Sequence, residues 1–236
     1  MSDAELYARG MRTLLASWEA YAHGARGAAL LRAPGVAAAV FPDEPERSVY
    51  NNAVLTRADA VEAMEAAYAE AGVTHFAAWV HERDEALRAL LEGRGYRLDE
   101  TTRVMGMELR ELCLPRPELT LAAPHWAEYL RTFDLSPELL RGADHVALHL
   151  VLARSNGASV AAALAFDCEG DCGIYNVATV EHARRRGLGT ALTALQLHAA
   201  RERGCRTASI QATPMAERIY AATGFRNLGR ILEYVP

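Results

Sequence analysis

The residues best placed to do chemistry are Arg184-Arg185-Arg186-Gly187-Leu188-Gly189-Thr190, a basic turn punctuated by two glycines. A short, β-branched apolar run, Gly173 to Val180, precedes it, and from Thr190 to Arg203 the residues Leu192, Leu195 and Ala199 recur at helical spacing. The turn therefore joins a strand to a helix. Glycine at 187 and 189 permits backbone angles that a Cβ would penalise and lets a ligand approach the main chain. The first amides of a helix lack partners within it and attract anionic oxygens, and three arginines beside them raise the local positive potential. The chemistry implied is the holding of a pyrophosphate. Neither G-x-x-x-x-G-K-[ST] nor G-x-G-x-x-G followed by an acidic strand end is present, which sets aside two common nucleotide sites.

Arg184, Gly187 and Gly189 fill the fixed positions of the pattern Q/R-x-x-G-x-G/A. Downstream, a strand-like run from Thr207 to Thr213 leads to Ala216, Ile219, Tyr220, Gly224 and Phe225, in register with N-x-x-A-x-x-[LI]-Y-x-x-x-G-F. Thr213 stands where that pattern has Asn. In this order, one helix and one strand apart, the two motifs resemble those of the GNAT superfamily of acyl-CoA-dependent N-acyltransferases. The likeness is close over the last half of the chain.

The resemblance implies that the two motif strands are parallel and splay apart, with an acyl-CoA thioester in the gap. The backbone of Ala178, Thr179 and Val180 would pair with the pantetheine arm. The amides of Arg185, Arg186, Gly187, Leu188, Gly189 and Thr190 would hold the pyrophosphate, and Thr213 and Tyr220 would touch the cofactor. The amide of Val180 or its neighbour would polarise the thioester carbonyl. Tyr220 is the candidate general acid, since an unperturbed phenol stays protonated at neutral pH; packing against pantetheine is its alternative role. Candidates for the base are Asp167, Glu169, Glu181 and His182, with no decision among them; Asn176 could orient an acceptor or water, or make a structural hydrogen bond as its twin Asn51 suggests. His145 and His149 share a strand face but have no ligand set beside them, and read as structural.

These residues must be positioned by a sizeable fold. The chain has 236 residues, 51% of them apolar, enough for one large domain or two small ones. A net charge of -5 argues against a nucleic-acid or anionic-membrane partner. No apolar run approaches the ~20 residues that span a bilayer, and the first residues lack the pattern of a signal peptide; the expected location is cytoplasmic. Cys113, Cys168, Cys172 and Cys205 form no C-x-x-C pair, so reduced thiols are expected, with no metal.

An internal repeat emerges when the halves are aligned: Val49 to Leu55 (VYNNAVL) matches Ile174 to Val180 (IYNVATV), and Gly95-Tyr96-Arg97 echoes Gly224-Phe225-Arg226. The expected fold is α/β, of the α+β kind: two GNAT-like units, each a mixed, mostly antiparallel twisted sheet flanked by helices. Residues 1–114 would be a degenerate unit and 115–236 the catalytic one, joined near Cys113-Leu114-Pro115-Arg116-Pro117. Thr101–Leu109 would close the first unit and Arg230–Val235 the second. In the first unit Leu55 runs through Thr56-Arg57-Ala58-Asp59 into helix, without glycine or an arginine cluster. The second would open with helices at Trp126–Asp134 and Pro137–Arg141, followed by strands Val146–Ala153 and Ser159–Phe166 around an Asn156-Gly157 turn.

The function expected is direct, ternary-complex transfer of an acetyl group from acetyl-CoA to a primary amine of a small molecule. A non-catalytic acyl-CoA sensor or interaction module and a protein or peptide acetyltransferase are the alternatives. Homodimerisation through the first unit is left open.

Overall fold

The computed structural model describes residues 1–119, 121–123, 125–136 and 142–236. In chain order the elements are α1 (Asp3–Gly24), β1 (Ala29–Ala33), β2 (Val36–Val40), β3 (Asn52–Leu55), α2 (Val61–Glu70), β4 (Ala77–His81), α3 (Glu85–Gly93) and β5 (Arg97–Glu108). They continue with β6 (Leu121–Ala122), α4 (Trp126–Thr132), β7 (Leu148–Ser155), β8 (Ala158–Cys168), β9 (Asp171–Thr179), α5 (Leu188–Glu202), β10 (Thr207–Ala212), α6 (Glu217–Ala222) and β11 (Arg226–Val235). The second opening helix expected at 137–141 lies outside the described residues.

Two compact units result, interleaved in sequence. One gathers Met1–Ser17, the stretch from Val104 and Asp144–Leu228; the other is built chiefly from Trp18–Arg103 and Gly229–Pro236. No single cut near residue 115 separates them. The closing strands are assigned the other way round from the expectation. Met105, Met107 and Leu109 bury themselves with Ile174, Ala208, Ile210 and Phe225 in the first unit, while Ile231–Tyr234 lies antiparallel to His81–Ala78 in the second. The helix α1 and the β1–β2 hairpin went unread in the sequence, although Leu6, Leu14, Trp18 and Ala22 form a buried stripe at four-residue multiples. Pro34-Gly35, with Gly35 at φ +88°, turns that hairpin.

In the first unit β6, β7, β8 and β9 follow one another antiparallel, and β9 pairs parallel with β10 across the helix α5. Asn156 and Gly157, both at positive φ, make the β7–β8 turn as the sequence predicts. In the second unit β1, β2 and β3 are antiparallel neighbours, β3 pairs parallel with β4 across α2, and β4 pairs antiparallel with β11. Each unit thus repeats one order: antiparallel strands, a helix crossover, a parallel partner and a short helix. The second unit's core holds Tyr68 stacked on Phe76 at 4.2 Å, with Met64, Leu87 and Leu91 around them.

Candidate active site

Asp171, at the start of β9, is 2% exposed and accepts hydrogen bonds from Thr207 Oγ1 at 2.6 Å and Ser209 Oγ at 2.7 Å on β10. That clasp fixes one end of the parallel pair. Registered pairing runs from Thr207↔Asp171 to Ile210↔Ile174 and then stops, while β9 continues to Thr179 and β10 to Ala212. The strands part as the resemblance implied.

The bend that parts them is a β-bulge in β9. Ala162 faces Ala178 and Leu164 faces Tyr175, so Asn176 and Val177 together oppose Ala163, and Asn176 takes φ +50°. Beyond the bulge, the Val180 amide donates to the Val160 carbonyl at 2.9 Å. This N–H is spent in the sheet and is not available to polarise a carbonyl, which corrects one of the two readings made from the sequence. In an antiparallel ladder alternate residues face alternate sides. Thr179 therefore turns its backbone away from β8, and its carbonyl accepts from Arg184 Nε at 3.1 Å. Arg184 braces the strand end; the exposed Arg185 and Arg186 are the cations left beside the turn.

At the start of α5, Gly187 is the N-cap at φ +74° and Arg185 lies at φ +61°. No side chain caps the helix, and its first internal bond is Ala191 N–H to Gly187 O at 2.9 Å. The amides of Leu188, Gly189 and Thr190 are thus the unpaired donors of the first turn. A Cβ at Gly189 would meet only Val177 Cγ1, in ordinary van der Waals contact at 3.7 Å, so nothing crowds the main chain at this turn. Donors, dipole and clearance together suit anionic oxygens.

Tyr220 on α6 is 6% exposed and packs edge-on to Phe225 at 6.0 Å, in the core that holds Ile210 and Ala212 of β10. Burial raises its pKa above the usual phenol value, opposed by the Thr193 hydroxyl on α5. The phenol is therefore protonated throughout the neutral range. Thr193 is itself fully buried, and its Oγ1 makes no other hydrogen bond. Gln211 on β10 follows the last paired residue, and its Nε2 is buried without a partner. Sequence reasoning missed both; the signal was a polar residue interrupting an apolar face. Thr213 is exposed, and its carbonyl accepts from Ala216 and Glu217 at the start of α6.

The base candidates fare differently. Asp167 accepts from Arg203 at 2.6 and 2.9 Å and lies 3.5 Å from His149. Burial alone would raise its pKa, but those partners hold it well below the carboxylate range. Glu169 pairs with Arg12 at 3.5 Å. Both sit at the hairpin where β9 begins, about six residues of strand, or ~20 Å, from Ala178. They are structural. Glu181 and His182 are exposed, as is Asn176. Asn51, the counterpart of Asn176, is fully buried and accepts from Phe41 N–H at 2.7 Å, so the twins have separate roles. His145 stacks on Trp126 at 4.4 Å. Among the described residues no three His, Cys, Asp or Glu side chains are grouped to hold a metal.

In the second unit the matching turn is closed. The parallel pairing of β3 with β4 runs through Val54↔Trp79, next to the strand end at Leu55. Arg57 at the following helix start is extended and ion-paired to Asp59.

Parted parallel strands beside an uncapped, glycine-led helix start agree with the match of residues 123–234 to the family described as Acetyltransferase (GNAT) domain. Residues 123–234 are a GNAT acyltransferase domain. Solved structures share the fold across the chain. A GCN5-related N-acetyltransferase from Kribbella flavida superposes with a TM-score of 0.68 at 19% identity, covering 96% of this chain and 94% of that one. One from Sphaerobacter thermophilus gives 0.61 at 18%, over 88% and 79%. A tandem GNAT protein from the clavulanic acid biosynthesis pathway gives 0.56 at 14%, over 96% and 95%. No curated protein matches the sequence. The matched residues thus include the parted strands and the glycine-led turn, which lie in one unit.

Proposed function

We propose that the GNAT domain transfers an acetyl group from acetyl-CoA to a primary amine of a small molecule, by direct attack in a ternary complex. The observation that carries this reading is the end of β9–β10 pairing at Ile174↔Ile210, beside three unpaired amides at the start of α5. Acetyl-CoA supplies an acyl thioester. Leu188, Gly189 and Thr190 donate N–H groups to its pyrophosphate, with Arg185 and Arg186 adding charge. Thr179 offers its outward backbone to the extended arm, with its N–H as the donor for the thioester carbonyl; the Ala178 backbone, on the same side as that of Val180, is turned to β8, which corrects the expectation for that residue. Tyr220, kept protonated by burial, gives its proton to the departing thiolate. Cys172 is buried and its thiol pKa is pushed up by burial, which removes it as a nucleophile.

We read the second unit as a degenerate copy, since its β3–β4 pair stays closed and its turn has no positive-φ residue from Leu55 to Val61. Calorimetric titration with acetyl-CoA tests both readings. One site per chain, with a dissociation constant on the order of 1–100 μM, is expected. No binding overturns the transferase reading, and two sites overturn the degenerate copy.

A further inference from the structure

Tyr-Asn occurs at matching places in the two halves of the chain, as Tyr50-Asn51 and Tyr175-Asn176, and the two asparagines are put to opposite uses. Asn51 works through its side chain. It is fully buried, accepts from Phe41 N–H at 2.7 Å and donates to the carbonyls of Glu44 and Arg47 at 2.8 and 3.1 Å. Asn176 instead has an exposed side chain and a left-handed backbone at φ +50°. The other non-glycine residues at positive φ, Asp134, Asn156, Glu169 and Arg185, lie outside helices and strands. Among the described residues Asn176 alone adopts that conformation inside a strand. The region is unfavourable for most L-residues and several-fold enriched in asparagine, so this position makes its demand on the backbone.

What the conformation decides is the phase of the strand end. Before the bulge Ile174 faces Ala165 and Tyr175 faces Leu164; after it Ala178 faces Ala162 and Thr179 faces Ala161. Continued without a bulge, the first register would set Thr179 against Val160, one residue out of its present place. Val160 directs its carbonyl at β9, where Val180 N–H now meets it at 2.9 Å. In an unbulged strand Thr179 N–H would take that bond, and the amides of Ala178 and Val180 would turn outward instead. One extra residue thus chooses which amides the open side of β9 receives.

We propose that Asn176 is a positioning residue for the acyl donor: its tolerance of the left-handed backbone holds the bulge, and the bulge presents Thr179 N–H, not the amides of its neighbours, to the thioester. The inference rests on the acyl-transfer reading of the gap. It gives Asn176 a backbone role that makes no demand on its carboxamide, and a strained strand residue at a binding gap is where such a role is expected.

Calorimetric titration of the full chain with two probes tests it: acetyl-CoA, and 3′-phospho-ADP, the part of that donor without the arm and the thioester. Asn176→Gly, the conservative variant, keeps the left-handed option and should bind acetyl-CoA within about threefold of the wild type. Asn176→Val, with a β-branched side chain for which that region is an outlier, should weaken acetyl-CoA at least about tenfold. Its affinity for 3′-phospho-ADP should stay within about threefold, because the turn at α5 is untouched. Asn176→Ala should fall between the two and carries the comparison if Asn176→Val does not fold. No binding of acetyl-CoA by the wild type overturns the acyl-transfer reading itself. With wild-type binding intact, the positioning role alone is overturned by wild-type acetyl-CoA affinity in Asn176→Val or Asn176→Ala, by an Asn176→Gly as weak as Asn176→Val, or by equal losses for both probes.

Discussion

Tyr220 and Gly189 separate proton transfer from donor binding. The Tyr220 ring is held by Phe225 and the β10 core, so Tyr220→Phe keeps the packing and removes the proton. Turnover should fall about a hundredfold, as for loss of a general acid, while acetyl-CoA affinity changes little; stopped-flow binding beside steady-state rates checks the split. Gly189→Asp acts the opposite way. A Cβ there makes only ordinary contact with Val177, and an acidic residue in the first turn favours the helix dipole. The fold should hold, yet the carboxylate would face the pyrophosphate and raise the acetyl-CoA dissociation constant at least about tenfold. A melting temperature unchanged within about 2 °C would assign the loss to the site.

At the scale of elements, the hairpin that begins β9 is held by charge and the opposite end is left open. Asp167 and Arg203 are 24% and 27% exposed, a partly buried pair. Asp167→Asn should cost about 2 kcal/mol, less than a fully buried pair because water reaches both groups; chemical denaturation measures it. The native Asp167 pKa lies below its unfolded value, so its contribution is complete above about pH 4 and is lost as pH falls through the native value. Acid should therefore unfold the wild type and leave the variant less sensitive. The same residue shows where sequence reading stops. The glycine turn was legible because its residues are consecutive and their spacing alone marks a strand-to-helix junction. Asp167 resembled a free carboxylate because its partner Arg203 comes 36 positions later. The parting of β9 from β10 is a matter of register between strands, which no single run of residues encodes. The bulge at Asn176 likewise depends on the facing residues of β8.

The molecule as a whole sets a net charge of -5 against a basic turn of three arginines. On the proposed reading a polyanionic donor is drawn to that turn, and its on-rate should fall as salt is raised. Repeated element order survives in both units, but only one has the parted strands and the glycine-led helix. The interleaving has a further consequence, for biosynthesis. The strand that lies against β4 is made about 150 residues after it. Until Ile231–Tyr234 emerges, the edge of β4 has no covering strand, and its paired residues lie about 150 positions upstream, a long loop to close. Synthesis from the N-terminus would ordinarily let an early unit fold first. Here the early unit must wait for Ile231–Tyr234, with an unpaired edge as the hazard of the delay.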